Sequence, residues 1–353
     1  MEDVIIIGAG LSGLSVAYYL KKQNINSKVL EAQNRLGGRI ETIYGVNNTP
    51  MEMGATWFGN QHQNLIQFLN EIGITYFKQH DEGIALFETM SFEAPQRYYV
   101  PAAEAPVYRV KDGTYSIINA LHQFIGAENV LLQQTVIDVV DNTDHIVVIC
   151  NNGIEYQCKK LVIAIPPQVL INSVRFIPIL PTTLTQVMMQ VQTWMSGSIK
   201  FSIEYKSPFW RKKGFSGSVY SQSGIAPEIY DHTNFEENKF AIKGFLNGSA
   251  VKYSYQERQQ KVVAQLTKYW GEECHDFISY HDKIWDDKFI KSENEQFLPP
   301  HNNNGDALFN NAYMNNKLFF TVTETSKLFG GYMDGAINSA KTTVKAMLTF
   351  GIN

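Results

Sequence analysis

An excess of charge of one sign is missing from this 353-residue chain: 30 lysines and arginines stand against 34 aspartates and glutamates, a net of −4. That balance gives no electrostatic reason to expect a nucleic acid held through its phosphates. Cysteine is scarce. Cys150, Cys158 and Cys274 cannot build a dense disulfide framework, and their spacings match no metal knuckle. A reducing, cytoplasmic setting is the expectation. No apolar run approaches the roughly 18 residues of a membrane span, and Met1-Glu2-Asp3 is acidic where a secretion signal would be basic. The histidines form no compact ligand pair on an evident helix, so no metal site is expected. Internal repeats and low-complexity tails are also missing. What the chain does have is apolar material, 44% of its residues with 12% aromatic, which suits two or three globular domains or one with a large insertion.

Val4-Ile5-Ile6-Ile7 reads as a strand covered on both faces. Leu14, Ala17, Tyr18 and Leu20 then mark a helix to about Lys22, and Lys28-Val29-Leu30 is a second strand ending at Glu31. Further helices are predicted near Asn60–Ile72, Tyr115–Phe124, Glu257–Trp270 and Tyr332–Leu348. Residues 81–111 read as strands and turns, because Pro95, Pro101 and Pro106 interrupt any helical period. A strand and hairpin are expected over Val130–Cys150, with Asn151-Asn152-Gly153 as the turn. Lys160–Ile165 is a buried strand stopped by Pro166-Pro167, Ser198–Tyr205 an alternating strand, and Leu318–Val322 another strand. The two ends of the chain therefore build one nucleotide-binding domain, and the material between them a second.

Gly8, Gly10 and Gly13 have the spacing of a dinucleotide fingerprint, following an apolar strand and opening a helix. The first permits a tight turn, the second admits a pyrophosphate close to the backbone, and the third lets helix and strand pack. Leu11 and Ser12 begin the helix, whose unpaired N–H groups suit phosphate. Glu31, with Ala32 beside it, ends the next strand where a carboxylate can accept from ribose hydroxyls. The fingerprint alone leaves nicotinamide and flavin dinucleotides open. A second glycine turn, Gly37-Gly38, and Arg39, able to reach the pyrophosphate, make a second clamp suited to a long, permanently held cofactor.

With these features the chain resembles the flavin-containing amine oxidases, the group that includes monoamine, polyamine and amino-acid oxidases and related histone demethylases. The similarity runs through Val4–Thr42, Met51–Lys78, Lys159–Trp210 and Leu318–Leu348, more weakly through Val130–Cys150 and Trp285–Pro300. The implied fold class is α/β: a Rossmann-like FAD-binding domain of the GR2 flavoprotein type (residues 1–78, 111–196 and 285–353). A second, smaller mixed α+β substrate domain (79–110 and 197–284) is inserted into it. Glu52–Phe58 resembles the segment beside the flavin, placing Gly54, Ala55 and Thr56 there. Val136 falls where the family has a valine whose backbone meets the adenine, and Trp285 also falls at the cofactor. The stretch Gly197–Trp210 resembles the strand whose lysine holds a water at flavin N5, which assigns that place to Lys200. The closing motif, Val322-Thr323-Glu324-Thr325 and then Gly330–Ala336, places Thr323, Glu324, Tyr332, Met333 and Ala336 at the flavin, with Tyr332 as one ring of an amine-holding cage.

The resemblance implies oxidation of a C–N bond of a small amine: hydride transfer to flavin N5, hydrolysis of the imine, and reoxidation by dioxygen to hydrogen peroxide. Lys200 and Tyr332 are the catalytic candidates. The chain departs from the family in four ways. Residues 81–111 are shorter than the family's cavity-building insertion, which implies a shallow site or one completed by a second copy in a homodimer. No cysteine lies in Lys291–Gln296, so FAD should be non-covalent. The second cage aromatic falls near Asn294, and Val322 replaces a common glycine. Alternatives left open are a flavin desaturase or isomerase on an apolar non-amine substrate, a catalytically weak flavin-binding protein, and a nicotinamide dehydrogenase. Asp286, Asp287, Glu293 and Glu295 read as a solvated acidic face.

Overall fold

A computed structural model describes residues 1–291 and 298–351. Its first sheet has eight strands. In spatial order they are Val130–Leu131, Ser27–Leu30, Glu2–Ile7, Glu155–Ile163, Ile146–Cys150, Val136–Asp141 and Arg175–Ile177, with Leu318–Phe320 paired to the far half of Glu155–Ile163. Glu2–Ile7 runs parallel to both of its neighbours. Its run of apolar residues is explained by burial on both faces. Val4 and Ile6 pack with the helices Leu11–Lys22, Tyr115–Ile125 and Met333–Thr349. Ile5 and Ile7 pack on the other side with Leu170, Leu184 and Met188, from the helices Pro167–Ser173 and Thr182–Met189.

The second sheet orders Phe277–Ile284, Ile199–Tyr205, Phe240–Leu246, Glu228–Asp231, Phe215–Ser221, Gly83–Glu88 and Gln96–Val100. Ile199, Phe201, Ile203 and Tyr205 send one face of it into a core with Val262, Leu266 and Trp270 of the helix Tyr255–Trp270. The intervening residues, Lys200, Ser202 and Glu204, are buried as well. The alternating strand read for Ser198–Tyr205 thus has no solvent-facing side. It has an apolar core on one side and a closed polar wall on the other.

Two readings hold but are incomplete. Pro166-Pro167 ends its strand but also starts a helix, since proline at the first helical position needs no N–H partner. Residues 130–150 hold one hairpin, Val136–Asp141 with Ile146–Cys150. The turn at 151–153 opens a second, because Ile146–Cys150 then pairs antiparallel with Glu155–Ile163.

Candidate active site

The first strand turns through Gly8, whose φ is +107°. A Cβ there would lie 2.8 Å from the Ala164 carbonyl oxygen, and one on Gly13 only 2.0 Å from the Gly8 oxygen. Gly10 is different. The nearest atom to a Cβ on it is the Gly38 Cα, 4.0 Å away, and Gly10 faces a cavity. The second glycine turn docks here, with Gly37 N–H donating to the Ala9 carbonyl at 2.9 Å. Arg35 fastens that turn by donating to the Gly38 carbonyl at 2.7 Å. The Glu31 carboxylate is buried and accepts from the Ala9 N–H at 2.8 Å and the Gln33 N–H at 2.9 Å. Burial raises its affinity for a proton, and the two backbone donors oppose that.

The cavity has a volume of about 710 Å³. Glu31, Ala32 and Val136 line it, together with Gly8, Gly10, Leu11 and Ser12. Gly37, Gly38, Arg39, Gly54, Ala55 and Thr56 also line it, as do Lys200, Trp285, Thr323, Tyr332, Met333 and Ala336. Of the residues singled out in the sequence, Gly13 and Glu324 stand behind its wall. Gly13 serves helix–strand packing. Glu324 is fully buried and accepts both terminal nitrogens of Arg39, at 2.5 and 2.8 Å. Arg39 therefore reaches the cavity already paired to a carboxylate.

Lys200 donates from Nζ to the Gly54 carbonyl at 2.6 Å and lies 4.8 Å from the centroid of the Phe245 ring. Burial pushes its ammonium down from the ordinary 10.5 to about 8, with Glu52 pulling the other way. Gly54 must lack a side chain because a Cβ there would sit 2.2 Å from the Arg39 carbonyl oxygen. Trp285 donates from Nε1 to the Met53 carbonyl at 2.7 Å, fixing the same segment from the other side.

The last helix, Met333–Thr349, begins at the cavity. Thr323 Oγ1 donates to the Tyr332 carbonyl at 2.6 Å. The Tyr332 ring is held among His62, His301 and Trp194, with centroids at 5.7, 5.5 and 5.7 Å. Trp194 and His301 stack on each other at 4.1 Å. Asn294, together with Glu293 and Glu295, lies outside the described residues. Val322 is buried and lines the cavity.

Sequence reasoning missed several residues. Trp57, Tyr230, Phe245, Trp194, Glu228 and Ser198 all line the cavity. The Ser198 hydroxyl is buried with no hydrogen-bonding partner among the described residues. Lys243 is fully buried, donates to Thr56 Oγ1 and lies 4.9 Å from the Trp57 centroid. A lysine interior to the apolar stretch Phe240–Leu246 was a signal of the same kind as Lys200. Taken together, an acceptor pair at Glu31, an uncovered glycine face at Gly10, a helix start and an orphaned hydroxyl beside a buried lysine fit an elongated dinucleotide with a planar ring.

The family model described as flavin containing amine oxidoreductase matches residues 11–86 and 80–348. A probable flavin-containing monoamine oxidase A from Dictyostelium discoideum is 24% identical over 96% of this chain and 96% of that protein. Human amine oxidase [flavin-containing] B is 23% identical over 98% of this chain and 86% of that protein. Two solved structures share the fold over 99% of both chains at 20% identity. Cyclohexylamine oxidase from Brevibacterium oxydans IH-35A superposes with a TM-score of 0.85, and wild-type putrescine oxidase bound to putrescine with a TM-score of 0.83. Among the described residues, no helix is long and apolar enough to cross a membrane.

Proposed function

The chain belongs to the flavin-containing amine oxidoreductase family, and from that premise we propose that it oxidises a C–N bond of a small amine using FAD held without a covalent link. Glu31 and Val136 would hold the adenosine end. Gly10, Leu11, Ser12, Gly37 and Gly38 would hold the pyrophosphate, and Gly54–Thr56, Lys200, Trp285 and the start of the last helix the ring. When bound, FAD supplies the electron chemistry, accepting hydride from the carbon next to nitrogen and passing two electrons to dioxygen to give hydrogen peroxide. In this reading residues 1–78, 111–196 and 285–353 form the cofactor-binding part, and 79–110 with 197–284 the substrate part.

The protein's own contribution is position, dryness and charge. Trp57, Phe245 and Tyr332 give the amine aromatic walls and keep bulk water from the reacting carbon. Lys200, whose hold on its proton is weakened by burial, would hold a water beside the bound ring and exchange a proton at Nζ as the imine is hydrolysed to carbonyl and free amine or ammonia. The N–H groups at the start of Met333–Thr349 would favour negative charge on a ring bound beside them.

The observation that carries this reading is Lys200: an ammonium group buried in a strand interior, whose hydrogen bond among the described residues goes to the Gly54 carbonyl, and which lines the cavity. Lys200→Met is expected to slow flavin reduction by amine, or its reoxidation by dioxygen, by tenfold or more (about 10²–10⁴-fold for loss of a positioned proton-transfer group) while flavin stays bound. Stopped-flow absorbance of both half-reactions checks it, and unchanged rates in both would refute the role. Val322, filling part of the cavity wall, motivates the second reading. A yellow protein bleached by dithionite and by no amine would be a flavin-binding protein without amine oxidation.

A further inference from the structure

Three neighbouring strands of the second sheet bring three cavity residues into one row. Lys200 is paired with Phe245, and Phe245 on its other side with Glu228. Directly opposed residues of antiparallel strands project from the same face, and all three line the cavity. The row spans two strand spacings, about 9–10 Å between its end Cα atoms. Its middle and flank are aromatic. Phe245 lies 6.2 Å from Trp57, and Trp57 packs edge-on against Tyr230 at 5.0 Å.

The far end of the row is a carboxylate. Glu228 accepts from the Tyr230 hydroxyl at 2.8 Å through Oε2. Burial, then the neighbouring Tyr220 and Glu228, raise Tyr230 far above the ordinary tyrosine range, so it remains a donor. Among the described residues Glu228 forms no ion pair. The other carboxylate lining the cavity, Glu31, already accepts two backbone N–H groups. Glu228 therefore keeps an unengaged oxygen, one tyrosine-fixed orientation and an aromatic corridor leading to Lys200.

We propose that Glu228 and Tyr230 form a subsite for a second ammonium group, so that the substrate class is an aliphatic diamine whose reacting nitrogen lies at the Lys200 end of the row. The aromatic faces of Trp57 and Phe245 take the methylenes between, and the carboxylate takes the distal charge. The substrate assignment rests on the amine-oxidation reading; the binding subsite does not.

Pentylamine and 1,5-diaminopentane, which differ only in the second nitrogen, test it on the flavin-loaded protein. The wild type is expected to favour the diamine by about tenfold or more in kcat/KM, chiefly through KM, and to lose that preference as salt is raised. Glu228→Gln should bring the diamine-to-monoamine ratio to within about threefold, the range expected for a neutral rim contact. A ratio equal in wild type and variant overturns the subsite. If neither amine is oxidised, the catalytic reading fails, and calorimetric binding of the same two compounds decides the subsite alone. Tighter diamine binding that Glu228→Gln abolishes supports it, and equal affinities overturn it.

Discussion

Two lysines stand in the polar wall of the second sheet, and neither forms an ion pair among the described residues. Lys200 has the Gly54 carbonyl, and Lys243 has the Thr56 hydroxyl. Burying an ammonium without an ion-pair partner favours its neutral form, here against the pull of the Glu52 carboxylate on both lysines. For Lys243 burial comes first, then the charge of Lys200, and together they push it well below the ordinary lysine range. For Lys200 the sign of the linkage gives a measurable consequence. Its folded value of about 8 lies below the ordinary 10.5, so between those values the unfolded chain binds a proton that the folded chain has released. Stability from this group therefore rises with pH across that window, by on the order of 3 kcal/mol in all, and below it the cost of the buried charge is paid in full. Urea unfolding at pH 7.5 and pH 9.5 should show the part of this gain that falls between them, about 2 kcal/mol, in the wild type relative to Lys200→Met, which lacks the titrating group. A pH dependence identical in the two proteins would mean that Lys200 is not desolvated in the folded state.

Within the strand–turn–helix unit at the start of the chain, two glycines of one motif have separable jobs. A Cβ on Gly13 would meet the Gly8 carbonyl oxygen at 2.0 Å and Ala164 Cβ at 3.1 Å, both on rigid elements. Gly10 has φ −76° and ψ 178°, which any residue adopts, and a Cβ on it would come no nearer than 4.0 Å to another atom, the Gly38 Cα. Gly13→Ala should therefore cost about 1–3 kcal/mol through overpacking and lose flavin with it. Gly10→Ala should leave the melting temperature of the flavin-free protein within a degree or two while weakening flavin binding. Differential scanning fluorimetry and flavin release on dilution separate the two. This unit was legible from the sequence because its signals are local: apolar run, glycine spacing, helical stripe, acid. The last helix and the Lys160–Ile165 strand were legible for the same reason. Most of the second sheet was not, apart from Ser198–Tyr205 and the strands of residues 81–111. Its strands Phe215–Ser221 and Glu228–Asp231 carry polar residues on both faces, and Phe240–Leu246 sets a single lysine in an apolar run, because one face closes over the cavity and not over solvent. Glu228, Tyr230 and Lys243 escaped notice on that account. Their meaning lies in cross-strand register, which a single chain does not display.

At the scale of the whole molecule, the cavity has contributions from both large sheets, the glycine turns and the last helix. Its wall is held by contacts between segments far apart in sequence. The Arg39–Glu324 pair is the strongest of these on geometric grounds: bidentate, 285 positions apart, with the carboxylate fully buried. Glu324 Oε1 also accepts from the Trp194 N–H at 3.3 Å, and Arg39 Nη1 donates to the Trp194 carbonyl at 3.3 Å. The pair thus fixes Trp194, which packs against Tyr332. A buried pair adds little over an apolar replacement of both partners, but removing one leaves a desolvated charge. Arg39→Met should therefore destabilise the protein by about 3–5 kcal/mol, and Arg39→Met with Glu324→Met should recover most of it. Flavin tells a second role apart. A ligand bound to the folded state stabilises by mass action, so adding FAD should raise the melting temperature of the wild type more than that of the double variant if Arg39 also touches the pyrophosphate. An equal rise in both would confine Arg39 to the joint between segments, and its place on the cavity wall would then be a consequence of holding Glu324.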